Sequence, residues 1–125
     1  MQVVFIGIRS QEPDQNGVEM AIAYLQEFEI KDGDTSTTNY DAVTTALDLK
    51  DAPEGLLIHT AGFDLDAGLF RIFDVWETRE LGEKFMNERL NPIIEPMIAA
   101  AEGSGASFDP PSREGWYELH DLISR

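Results

Sequence analysis

The sequence predicts an α+β domain in the element order strand, helix, strand, strand, helix, strand. Three observations carry that prediction. The stretch Gly55 to Thr78, GLLIHTAGFDLDAGLFRIFDVWET, reads as strand, turn, strand and helix start. An alternating segment, Met20 to Ile30, precedes it. A long amphipathic helical pattern and a last alternating segment follow it. This order is the split βαβ, or ferredoxin-like, arrangement.

Each element has a local reason. Met20 to Ile30, MAIAYLQEFEI, puts Met20, Ile22, Tyr24, Phe28 and Ile30 on one face and turns acidic on the other. Lys31 to Ser36 is a polar turn, and Thr37 is a candidate cap for a helix through Tyr40, Val43, Thr44 and Leu47. Pro53 and Gly55 end that helix region and launch a strand from Leu56 to Phe63. Asp64 to Gly68 is a hairpin-length turn, and Leu69 to Trp76 is the return strand. Thr78 suits an N-cap, with Glu80 in the first turn where negative charge favours the helix dipole. Leu81, Phe85, Met86, Leu90, Ile94, Met97 and Ile98 recur at helical spacing. Pro92 predicts a break, with one helix ending near Asn91 and a second starting at Pro92. Glu102 to Glu114 reads as a loop and Trp116 to Ile123 as the last strand. Residues 1–19 stand outside the pattern as an N-terminal extension. Val3 to Ile8 could add an edge strand, or the native chain could start at Met20. Residues 20–125 form the single domain.

The 125 residues suffice for one modest core, and 42% hydrophobic content is that of a globular protein. Strands apolar on both faces, with helices on one, leave a sheet face for a partner subunit. There is no cysteine, so disulfides and thiol catalysis are excluded. Asp plus Glu number 24 against 9 Lys plus Arg, a net charge of -15, which repels nucleic acid and anionic membrane surfaces. No apolar run approaches the length of a membrane span, and no signal peptide is recognisable, so a cytoplasmic location is expected.

Three segments together resemble a known group. They are Asn39-Tyr40-Asp41-Ala42-Val43, Gly55-Leu56-Leu57-Ile58-His59-Thr60-Ala61-Gly62 and Asp74-Val75-Trp76-Glu77-Thr78. Their pattern is similar to that of small dimeric α/β-barrel proteins, in the antibiotic-biosynthesis-monooxygenase-like branch. The resemblance implies a homodimer joined through the sheet face, with a cavity between sheet and helices for a small aromatic or enolic compound. It further implies a possible cofactor-independent monooxygenase, with no metal or other cofactor. The competing expectation is a non-catalytic, ligand-binding or stress-associated homodimer whose cavity is filled by side chains.

Candidate residues follow from chemistry. His59 is either a hydrogen-bonded histidine at the core edge or a general base toward a phenol or enol. Alternation puts it on one face with Leu57, Ala61 and Phe63. Tyr40 could donate to a developing oxyanion, and Asp74 could orient a histidine or accept from the next helix start. These three are the catalytic candidates. Trp76, Phe73, Arg71 and His120 are the substrate-binding candidates: Trp76 by stacking, Arg71 by pairing with an anion. His120 and Glu118 share a face of the last strand, but no third ligand at fixed spacing supports a metal site.

Overall fold

The computed structural model describes residues 21–105 and 108–123. Val3 to Ile8 and the rest of the N-terminal extension lie outside the described residues. The elements are β1 (Ile22–Glu29), α1 (Thr38–Leu47), β2 (Leu56–Asp64), β3 (Leu69–Trp76), α2 (Arg79–Phe85), a π-helical turn (Met86–Leu90), α3 (Asn91–Ser104) and β4 (Arg113–Glu118). The strands form one four-stranded sheet in the order β2-β3-β1-β4, with every neighbouring pair antiparallel. That is the ferredoxin-like α+β fold the sequence predicts.

The core lies between the inner sheet face and the helices. Ile22, Tyr24, Trp76 and Met86 form its buried centre, with Leu56, Leu81, Phe85, Leu90 and Trp116 packed around them. Trp76 ends β3, and the chain then turns directly into α2. The Thr78 hydroxyl accepts the Leu81 N–H at 3.2 Å, so the predicted N-cap forms. Thr37 precedes α1 without capping its backbone. Its hydroxyl donates to the Asp41 carboxylate at 2.8 Å instead.

Three expectations need correction. No break separates two helices at Pro92. Asn91 donates its N–H to the Met86 carbonyl, five residues back, so a π-helical turn carries the chain into α3. Pro92 sits at the start of α3, where its missing N–H costs least. Second, the predicted loop from Glu102 begins later, because α3 runs to Ser104 and ends on Gly105 at φ 81°. Third, the last strand is Arg113–Glu118, not Trp116 to Ile123. The antiparallel register places Glu118 opposite Ile22, the first residue of β1. Among the described residues β1 offers no ladder partner beyond Glu118, and His120 lies past the strand and is exposed.

Packing is tight where α2 crosses the sheet. Gly82 is buried there, and a β-carbon added to it would stand 2.6 Å from Trp116 Cη2 and 3.1 Å from the Trp76 ring. Replacing glycine by alanine in a helix normally gains up to about 1 kcal/mol. Overpacking costs about 1–3 kcal/mol. The contact wins because two tryptophan rings must move together. Gly82→Ala is therefore expected to lower stability by about 1 kcal/mol, read as a lower urea midpoint with an unchanged slope.

Candidate functional site

β2 and β3 pair in register from Ile58 to Asp64, but the register shifts between Leu56 and Ile58. Leu57 is the extra residue of a β-bulge and is 46% exposed. The bulge corrects one expectation: Leu56, not Leu57, lines the inner face with His59. Asp74 stands directly opposite His59 in the ladder, and Tyr24 stands opposite Asp74 on its other side. Trp116 completes this row on β4.

α1 lowers Tyr40 onto the row. The Tyr40 hydroxyl lies 2.7 Å from His59 Nε2, and His59 Nδ1 lies 2.5 Å from Asp74 Oδ1. A carboxylate can only accept, so His59 donates its Nδ1–H to Asp74. Neutral His59 then presents the Nε2 lone pair to the Tyr40 O–H, and the tyrosine donates. The two rings are almost parallel, at 6°. The structure thus brings together His59, Tyr40 and Asp74.

The same residues edge a cavity of about 660 Å³ between the sheet and α1, α2 and the π-helical turn. Its apolar lining includes Val43, Leu56, Ile72, Trp76, Phe85 and Met86. Among the described residues, side chains do not fill this cavity. Trp76 is 2% exposed, and among the described residues its Nε1–H has no hydrogen-bond partner.

Electrostatics follow from Asp74. The hydrogen bond to Asp74 holds His59 above the ordinary imidazole value, against a smaller opposing effect of burial. Burial, then the Asp74 charge, raises the Tyr40 phenol. Tyr24 is raised by burial and by its hydrogen bond to Glu114. Both phenols are therefore neutral donors at neutral pH.

The remaining candidates lie elsewhere. Phe73 and Arg71 project from the opposite sheet face, because they alternate with Ile72 and Asp74 along β3. Arg71 pairs with Glu27 at 2.7 Å and with Asp64, so its charge is already matched. His120 lies beyond β4 and does not line the cavity. Sequence reasoning missed Tyr24 and Gln26, which line the cavity, and Glu114, which accepts from the Tyr24 hydroxyl. The available signal was two polar-tipped side chains on the apolar face of the first alternating segment.

Among the described residues, no group of three or more His, Cys, Asp or Glu could hold a metal ion. No helix among them is long and apolar enough to cross a membrane.

Fold and cavity together define a ferredoxin-like α+β protein with room for a small molecule between sheet and helices. No protein-family model matches the sequence, and no curated protein does. Solved structures do. A candidate antibiotic biosynthesis monooxygenase from Chloroflexus aurantiacus superposes with a TM-score of 0.54 at 12% identity, covering 83% of this chain and 97% of that one. The protein NE2512 of unknown function from Nitrosomonas europaea gives 0.55 at 20% identity, covering 85% and 95%. SnoaB, a cofactor-independent oxygenase from Streptomyces nogalater, gives 0.53 at 11% identity, covering 84% and 98%. The chain shares the fold of these proteins.

The His59–Asp74 pair has a pH signature. A raised folded value means its stabilisation is fully present below about pH 6.5 and is lost as pH rises on through the raised value of the folded state. An NMR titration of the imidazole is expected to give a midpoint above the ordinary one. Asp74→Asn should bring it down to the ordinary value or below, since burial then acts alone. An unmoved midpoint in the variant would contradict the pairing.

Proposed function

We infer that the protein binds a small aromatic or enolic compound in the larger cavity and removes a proton from it, with His59 as the base. The observation that carries this reading is the Asp74–His59–Tyr40 chain at the edge of an apolar cavity. Asp74 fixes the tautomer that leaves Nε2 free to accept, and its charge stabilises the imidazolium that forms. Tyr40 covers Nε2 at rest. When substrate enters, its acidic hydroxyl or C–H takes that place, and the neutral Tyr40 phenol donates to the oxyanion left behind.

A deprotonated substrate of this kind is electron-rich enough to react with dioxygen directly. At an activated methylene, CH₂ plus O₂ gives C=O plus H₂O, which balances without a cofactor. The fold shared with SnoaB supports this oxygenase reading for the later step. A cavity bordered by both His59 and Tyr40 favours it over the non-catalytic ligand-binding or stress-associated alternative.

The second copy belongs to the same reading. The sheet face away from the helices carries the register pair Leu25 and Phe73, with Ile58 and Thr60 beside them and the exposed Tyr117 on β4. A homodimer through this face would cover those side chains, and Phe73 would then serve the interface and not the substrate.

Two measurements test the reading. Oxygen uptake with a panel of hydroquinones and enolisable polycyclic ketones should exceed the uncatalysed rate. His59→Ala should lower kcat about 10²–10⁴-fold with a smaller change in KM. The wild-type profile should fall on its acid side as His59 protonates, at a pH above about 6.5. Unchanged turnover in His59→Ala removes His59 from the mechanism. Light scattering after gel filtration should give twice the chain mass, and Phe73→Glu should give the monomer. A wild-type monomer at micromolar concentration would overturn the dimer.

A further inference from the structure

We propose that a second, smaller cavity binds an alkylated ammonium group. It measures about 340 Å³ and lies on the other side of Tyr40 from the larger cavity. Phe28, Phe70 and Phe63 are register partners on β1, β3 and β2, so the sheet sets three rings in one row along its wall. The Phe70 ring centre lies 4.9 Å from that of Phe63, 6.4 Å from that of Phe28 and 5.8 Å from that of Tyr40. Aromatic faces carry negative potential and attract cations, which is how aromatic cages hold alkylated ammonium ions.

Charge on the polar side has the matching sign. Glu29, Asp34 and Asp109 line the cavity, and no lysine or arginine is among the lining residues. Lys31 reaches Asp109 at 3.6 Å and offsets one of these charges. Asp34 accepts the Ser36 N–H at 2.9 Å, which keeps its carboxyl below the usual range and therefore ionised. One feature opposes a cation. The start of α1 lines the same cavity, and a helix N-terminus is equivalent to about half a positive charge. Three carboxylates against one lysine and that half charge still leave the cavity negative. Ring faces cannot replace the water around an N–H-rich ammonium, so the composition of the wall selects an alkylated one.

Tyr40 borders both cavities, but the residues varied in the test, Phe63 and Asp34, line only the smaller one, so the two readings can fail separately. Its test must separate recognition from the general attraction of cations to a chain of net charge -15. Isothermal titration at fixed ionic strength compares choline with its uncharged isostere, 3,3-dimethylbutan-1-ol. Choline should bind saturably at one site per chain, with the isostere at least about tenfold weaker. Phe63→Leu keeps an apolar side chain on the edge strand and should weaken choline about twofold to thirtyfold, the range of one lost cation–π contact. Asp34→Asn keeps the oxygen that accepts from Ser36 and should also weaken it. No saturable heat with choline, equal binding of the isostere, or full affinity in Phe63→Leu would each overturn the proposal.

Discussion

The unpaired residue Leu57 fixes which face of the sheet His59 occupies. Leu56 stands opposite Trp76 on the inner face, while Ile58 stands opposite Val75 on the outer one. Strict alternation from Leu56 would send Ile58 and Thr60 inward and His59 outward, to the side of Phe73 and Arg71. One extra residue inverts that order for the rest of the strand. The imidazole then meets Asp74 within the ladder and Tyr40 from α1. The cavity-edge chemistry depends on this local break in pairing.

Asp74 then sets the charge states around it. It lies between His59 and Tyr24 in the ladder and acts on Tyr40 through space. Its charge favours a proton on the imidazole and opposes ionisation of both phenols. The sheet side of the cavity therefore holds the His59–Asp74 ion pair when His59 is protonated, and otherwise the Asp74 carboxylate beside neutral donors. On the far face, Arg71 does comparable work for the buried Glu27, so the two sheet faces each carry their own charge compensation.

What was legible in the sequence is what depends on neighbours along the chain. The strand Leu69–Trp76, the Thr78 cap and the helical face from Leu81 follow from alternation, capping and periodicity. His59, Tyr40 and Asp74 were visible as chemistry. Their meeting was not, since it depends on pairings across 15 and 19 residues and on a bulge that no residue type announces. The Tyr24–Glu114 bond, across 90 residues, was invisible for the same reason. Phe73 and Arg71 belong to the other alternation class of β3 from Asp74, so their separation from the cavity is readable from odd and even positions. His120 was placed on a strand because the sequence of β4 alternates past Glu118. A strand ends where its partner does, and that partner is set by the fold.

The π-helical turn Met86–Leu90 and the bulge at Leu57 are the same kind of event in different secondary structures. Each adds one residue to a regular repeat: five residues per hydrogen bond in place of four, or two residues opposite one. Both border the larger cavity, through Met86 and Leu90 on one wall and Leu56 and His59 on the other. The βαββαβ frame needs neither insertion. The scaffold and its cavity are thus separable in sequence space, and single-residue insertions in regular elements are a route by which a side-chain-filled relative of this fold could acquire a site.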